Sequence, residues 1–327
     1  MNKRVKENEA LANPALAIET KGLFKSFAKQ TAVNGIDLSV PKGSVFGFLG
    51  PNGSGKTTTI RLLLGLTSPS EGVVNVLGQS MPANLQSVLP KVGALVEGPG
   101  FYPFLSGEAN LKRLDTADRL ADPKTRNERV AKALERVGLT VAAKKKVHAY
   151  SLGMKQRLGI ANALLQPRDL LILDEPTNGL DPQGTREVRN LIKSLASEGT
   201  TIFVSSHLLA EVEQLCTHVA VMSAGNLVSQ GELAELRHMG QSRVSVTTPD
   251  VDEALALMTN LGLIPVVHEI AHSDSSLIAP VSSAFEPEVL AAALVAAGVR
   301  IRGFAVEEPS LEERFVSLTG EGFDVFQ

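Results

Sequence analysis

The sequence predicts an α/β protein with a mostly parallel sheet, followed by a small α+β domain. Three observations carry that prediction. Between residues 16 and 237, short apolar runs of strand length alternate with amphipathic stretches of helix length. A glycine-rich segment, GPNGSGKT (50–57), joins a strand-like run to a helix-like one. Past about residue 240 the order changes to strand, helix, strand, strand, helix, strand, which fits a small split-βαβ unit.

The elements follow in chain order. LAIETKGLFKSF (16–27), NGIDLSV (34–40) and SVFGFLG (44–50) alternate like strands, with Lys-Gly turns between some of them. GSGKTTTIRLLLGL reads as a helix with Ile60, Leu63 and Leu64 on one side. Residues 106–137 read as helical: Leu111, Leu114 and Ala117 mark one face, and Val130, Ala133, Leu134 and Val137 another. DLLILDEP (169–176) has the unbroken apolar character of a buried parallel strand. REVRNLIKSLASEG (186–199) turns Val188, Leu191, Ile192 and Leu195 inward as a helix, and TTIFVSSH (200–207) is a second buried strand. HVAVMSAGNLVSQGE (218–232) reads as a hairpin turning at Gly225-Asn226. The chain closes on PSLEERFVSLTGEG (309–322), which reads as a capped helix. The boundaries that follow are a flexible tail over 1–15, a main domain over 16–237 with a helical subdomain at about 98–165, and an accessory domain over 241–327.

Composition narrows the class. At 327 residues, 43% hydrophobic and 20% charged, the chain can bury the core of about two domains. A formal charge of -3 argues against a mainly electrostatic nucleic-acid binder, and none is expected as a partner. The single cysteine, Cys216, allows no intrachain disulfide and suits a reducing compartment. No run approaches the ~20 apolar residues that span a bilayer, and MNKRVKENEALANPA lacks the apolar core of a signal peptide. The run KKK (144–146) reads as a solvated surface cluster, or as a contact to lipid headgroups or to a loop of a partner protein.

Three motifs carry chemistry. GPNGSGKT matches G-x-x-x-x-G-K-[ST] between strand and helix. Its glycines let backbone N–H groups turn inward around phosphates, Lys56 can reach the β/γ oxygens, and the Thr57 hydroxyl can ligate Mg²⁺. Downstream, Asp174 and Glu175 end a buried strand. An aspartate there can hold Mg²⁺, and an adjacent glutamate can activate an attacking water. Between them, YSLGMKQRLGIANALL (150–165) opens on Ser151 and Gly153, which alone read equally as a helix cap or as donors to an anion.

With these motifs in this order, residues 16–237 resemble the nucleotide-binding subunits of ABC transporters, whose signature segment precedes the second acid motif at this distance. The resemblance implies a P-loop NTPase fold of the ABC ATPase type with a helical signature subdomain. It implies ATP and Mg²⁺ as ligands, and an ATP-binding segment of Gly50, Pro51, Asn52, Gly53, Ser54, Gly55, Lys56, Thr57 and Thr58. Phe27 stands where the family stacks an aromatic on adenine. Ser151, Leu152, Gly153, Met154 and Lys155 match the signature, which acts on ATP held by a second subunit. Leu152, Met154 and Lys155 depart from the commoner LSGGQ form. In NGLD (178–181), Asp181 matches the loop that crosses the dimer interface, and His207 matches the histidine that contacts the γ-phosphate. Catalysis is thereby expected from Glu175, His207 and Lys56, with Thr57 and Asp174 on the metal.

One departure concerns VEGPGFYPFL (96–105), where the family carries a loop glutamine that contacts Mg²⁺ and meets the permease. Glu97 stands in its place, as in the bacitracin and lantibiotic self-protection transporters. Two like charges at 4 Å repel by about 4 kcal/mol at an effective dielectric near 20, so Glu97 is expected to face a phosphate only with the metal between them. The tail past residue 240, through PSLEERFVSLTG, resembles the extension of the bacitracin- and daunorubicin-resistance group. The resemblance implies an ATP-hydrolysing subunit at the cytoplasmic face of the membrane, exporting an antibiotic, peptide or lipid-like substrate. Its partners would be a separate permease and a second ATP-binding subunit, expected to be an identical chain. The alternative is a soluble ABC-type ATPase acting on ribosomes or DNA.

Overall fold

The computed structural model describes residues 13–28, 30–96, 100–118, 121–238, 242–269, 275–282 and 285–307. The tail over 1–12, Glu97 and the segment PSLEERFVSLTGEG lie outside the described residues. The chain divides into two compact units that part between Leu233 and Ala234.

The first unit opens with β1 (Leu16–Phe27), β2 (Gln30–Ile36), β3 (Ser39–Pro41) and β4 (Val45–Leu49). Helix α1 (Lys56–Leu63) follows, then β5 (Glu71–Val76), β6 (Gln79–Met81), the short α2 (Leu85–Val88) and β7 (Val92–Leu95). Three helices come next: α3 (Gly107–Ala117), α4 (Arg126–Arg136) and α5 (Leu152–Ala163). The chain then alternates through β8 (Leu170–Asp174), α6 (Pro182–Ser197), β9 (Thr201–Ser206), α7 (Leu209–Leu215), β10 (His218–Ser223) and β11 (Asn226–Glu232).

A six-stranded sheet runs β11-β10-β4-β9-β8-β7, parallel except for the edge strand β11. Every residue of β4, β8 and β9 is buried. A parallel strand covered on both faces needs that continuous apolar run, because neither face meets water. Phe46 and Phe48 of β4 lie with ring centroids 5.8 and 5.1 Å from that of Phe203 on β9, joining the middle of the sheet.

The antiparallel part differs from the sequence reading. NGIDLSV is not one strand: it divides between β2, which begins at Gln30, and β3. Both pair with the long β1, in a second sheet ordered β2-β1-β5-β6 with β3 beside β1. β1 therefore belongs to a separate antiparallel layer, and alternation along a strand carries no information about its neighbour. The helical stretch 106–137 is not continuous: α3 ends at Ala117, and Pro123 opens a short 3-10 turn ahead of α4 at Arg126. The hairpin turns one residue earlier than read: Ser223 pairs with Asn226, and Ala224 and Gly225 form the loop with φ of 46° and 83°. Positive φ at both central residues is what a tight two-residue hairpin loop demands. Helix α6 begins at Pro182, four residues before the amphipathic pattern.

The second unit begins within α8 (Leu233–His238) and holds β12 (Arg243–Thr248), α9 (Val251–Asn260), β13 (Val266–Glu269), β14 (Ser275–Pro280), α10 (Pro287–Ala296) and β15 (Gly303–Glu307). Its antiparallel sheet runs β13-β14-β12-β15. Val244, Val246, Met258, Leu277, Leu290 and Leu294 form its core.

Candidate functional site

The site grows from the end of β4. There the chain leaves the sheet at Leu49, runs through Gly50–Gly55 and enters α1 at Lys56. Gly55 caps the helix with φ 104°, and a Cβ on it would come 2.3 Å from the Ala32 carbonyl oxygen, so no other residue fits there. No side chain caps α1 and its first turn holds no acidic residue, which leaves the helix's first N–H groups and positive end for an outside anion. Ser54 Oγ is buried without a hydrogen-bond partner in the same loop.

Lys56 is 6% exposed, and its Nζ donates to the carbonyls of Gly50 (2.6 Å) and Pro51 (3.1 Å). It also lies 3.6 Å from Glu175 Oε1. Burial draws its pKa below that of ordinary lysine, and the Glu175 and Asp174 carboxylates oppose that shift. The ammonium is thereby held at the mouth of the loop as a localised charge.

The acids come from the neighbouring strands. In the parallel pair β8/β9, Asp174 lies opposite Ser205. Thr57 Oγ1 donates to Asp174 Oδ2 at 3.1 Å, and Ser205 Oγ donates to Oδ1 at 2.6 Å. The next residue, Glu175, turns off the strand with φ 47°, a conformation rare for a side chain of its size. Its N–H donates to Ser205 Oγ at 2.9 Å, and its Oε2 lies 2.8 Å from His207 Nδ1. Behind this, Glu211 Oε2 on α7 accepts from Thr177 Oγ1 (2.5 Å) and Ser206 Oγ (3.3 Å), tying the loop after β8 to the end of β9.

Lys56, Thr57, Asp174, Glu175 and His207 thus meet in one cluster. Asn52 and Gly53 are exposed at the tip of the loop, and Pro51 and Thr58 are half-buried beside it. Among the described residues, no hydrogen bond or ion pair ties Phe27, Ser151 or Asp181 to the cluster. Phe27 is half exposed, with Lys25 Nζ 4.9 Å from its ring centroid. Ser151 caps α5 by accepting from Met154 N–H at 3.2 Å, and Asp181 caps α6 by accepting from Gly184 N–H at 2.9 Å. These two helix starts adjoin: a Cβ on Gly179 would meet Leu152 Cδ2 at 2.8 Å, and one on Gly153 would meet Leu180 Cδ2 at 3.6 Å. Leu152 is half exposed there, while Met154 and Lys155 are partly buried.

Sequence reasoning missed Ser205, Thr177, Ser206 and Glu211. Local spacing carries no signal for Ser205, whose role depends on the register that sets it opposite Asp174.

A family model described as ABC transporter matches residues 33–178. The bacitracin transport ATP-binding protein BcrA of Bacillus licheniformis is 40% identical over 306 residues, which is 93% of this chain and 98% of that one. The daunorubicin resistance ATP-binding protein DrrA3 of Streptomyces coeruleorubidus is 34% identical over 308 residues, 93% of this chain and 96% of that one. Among solved structures, cbiO1 from Clostridium perfringens, part of the ABC transporter complex cbiONQ, superposes with a TM-score of 0.62 at 26% identity, covering 76% of this chain and 96% of that one.

Proposed function

The chain belongs to the ATP-binding subunits of ABC transporters, and from that premise we propose that it powers export of an antibiotic, peptide or lipid-like substrate through a separate permease. It binds and hydrolyses ATP. The observation that supports the proposed roles is the meeting of Lys56, Thr57, Asp174, Glu175 and His207 beside an uncapped helix start.

Lys56 and the backbone N–H groups within Gly50–Thr58, Pro51 excepted, hold the phosphates, and Phe27 stacks on the adenine. Glu175 takes a proton from the attacking water, and His207 orients the Glu175 carboxylate toward it. The Thr57 hydroxyl and Asp174 carboxylate, already joined at 3.1 Å, are the oxygen donors that Mg²⁺ prefers, and they would hold it. Bound there, the ion would neutralise charge on the β/γ phosphates.

Ser151, Leu152, Gly153, Met154 and Lys155, with Asp181, form an edge, exposed at Ser151, Leu152 and Asp181, that would complete the site of a second, identical subunit. We assign ATP binding to a domain over 16–237 and an accessory role to 241–327; the compact units part slightly earlier, between Leu233 and Ala234. Among the described residues no helix is long and apolar enough to cross a membrane, and the chain would act at the cytoplasmic face through its permease. Glu97 lies outside the described residues, and its place as a metal ligand rests on the sequence pattern.

The relatives named above are proteins of bacitracin transport and daunorubicin resistance. The ribosome- or DNA-directed alternative gains no support from them. Affinity purification from detergent-solubilised cells tests the reading. Recovery with a polytopic membrane protein is the expected result, and recovery with ribosomes or DNA instead would refute it.

A further inference from the structure

We propose that Ser205 is a positioning residue that sets both acids of the site, so that turnover depends on its hydroxyl while nucleotide binding does not. The inference rests on the reading of Glu175 as the base. Ser205 is fully buried on β9. Its oxygen is used in both senses: the hydroxyl hydrogen goes to Asp174 Oδ1 at 2.6 Å, and a lone pair takes the Glu175 N–H at 2.9 Å. A hydroxyl is the smallest side chain that can donate and accept at once. One atom therefore fixes the rotamer of the first acid and the backbone of the second.

The backbone bond bears on conformation. Glu175 has φ 47°, and a non-glycine residue stays there only where its surroundings hold it. The Glu175 N–H is held by the Ser205 hydroxyl, its carbonyl accepts from Asn178 N–H at 3.1 Å, and its side chain is held by His207, just past the end of the same strand. Without the hydroxyl, the Glu175 N–H loses its partner inside the protein and the peptide can relax toward the extended region. That relaxation would swing the carboxylate away from His207 and Lys56. The phosphate loop touches Ser205 nowhere among the described contacts: its hydroxyl bonds run to Asp174 and Glu175, and its backbone lies in the sheet opposite Phe48 and Asp174. Its removal should therefore lower the rate of the bound complex and leave ATP capture unchanged.

The test uses the full chain with Ser205→Ala, Ser205→Thr, Glu175→Gln and the double variant Ser205→Ala/Glu175→Gln. Misplacing a reacting group by about 1 Å lowers rate by about 100-fold, and a loss of kcat of about 10- to 100-fold is expected for Ser205→Ala. The Kd for ATP in EDTA should change by less than about twofold, and Ser205→Thr, which restores a hydroxyl, should recover most of kcat. In the Glu175→Gln background, Ser205→Ala should lower the single-turnover rate by less than it does in the wild type, because the part that acts through Glu175 is already lost and only the part that acts through Asp174 remains. If the alanine variant does not fold, Ser205→Cys keeps the size with a poorer donor and should show the same selective loss of kcat.

Wild-type kcat in Ser205→Ala or Ser205→Cys would overturn the inference, as would an equal further loss on Glu175→Gln, or ATP binding that falls in step with kcat. Near-normal turnover in Glu175→Gln would instead overturn the assignment of the base. Full loss there with none in the Ser205 variants would overturn the Ser205 inference alone.

Discussion

Lys56 and Glu175 are paired in this structure, with Nζ 3.6 Å from Oε1, so the cation that would meet phosphate rests against the carboxylate that would meet water. Nucleotide binding must loosen that pair, because the phosphates take the ammonium. Glu175→Gln removes the charge but keeps the shape. Loss of a general base lowers hydrolysis by about 10²–10⁴, while affinity for ADP should hold or rise once Lys56 has no anionic rival. Steady-state ATPase and an ADP titration of the same variant check both halves. Near-normal turnover would remove Glu175 from the mechanism.

Lys56→Met tests the other partner. A charge-assisted hydrogen bond contributes about 1.5–3 kcal/mol, which corresponds to about 10- to 150-fold weaker ATP binding when it is lost. Calorimetric titration with ATP measures this directly, and unchanged affinity would sink the phosphate-holding role.

Much of this site was legible because its parts announce themselves by local spacing. Glycines at a strand-to-helix turn, and two acids at the end of an apolar run, need no knowledge of what lies beside them. Ser205 was not legible in that way. Its role exists only because β9 lies parallel to β8 with Asp174 opposite it, a register set by the whole sheet. The antiparallel layer was hidden for a similar reason: β1 reads as a strand from its own residues, but its partners β2 and β5 depend on tertiary pairing. In the second unit the order of elements was readable because each short segment carries its own period and its own breaker residues.

Asp115 on α3 is wholly buried and receives both Arg126 Nε at 3.1 Å and Arg129 Nη2 at 2.7 Å from α4. Asp115→Ala would leave two arginines facing a site without their acid. Breaking a buried pair from one side costs about 3–5 kcal/mol, and each kcal/mol moves the midpoint of a domain this size by about 2–4 °C. Thermal unfolding should shift down by about 6–20 °C. A shift inside measurement error would mean that the pair does not hold the two helices together.

Phe27 is 49% exposed, and among the described residues its ring has Lys25 Nζ 4.9 Å from its centroid. One ring face is free for a base if the ammonium covers the other. Stacking a base on an aromatic contributes about 1–3 kcal/mol and tolerates any base. Phe27→Ala should then weaken ATP and GTP together by about 5- to 150-fold, and Phe27→Tyr should restore both. Binding of both nucleotides unaffected by the alanine change would place the ring outside the site.

Cys216 is buried beneath β4, where a Cβ on Gly47 would come within 3.0 Å of its sulfur. Burial disfavours the thiolate and pushes its pKa up from 9.0 to about 12. The unfolded chain therefore releases this proton in a range where the folded chain still holds it. With fewer protons on the unfolded state, stability falls as pH rises from 9 toward 12 and is fully retained below 9. Cys216→Ala has no thiol to titrate, so its urea midpoint should fall less across that window than that of the wild type, whatever the offset between them at lower pH. The thiol should also resist alkylation in the folded chain, because the thiolate is the reactive form, and should label fully once urea unfolds it. Equal pH slopes in the two proteins, or rapid labelling of the folded one, would show a thiol open to water.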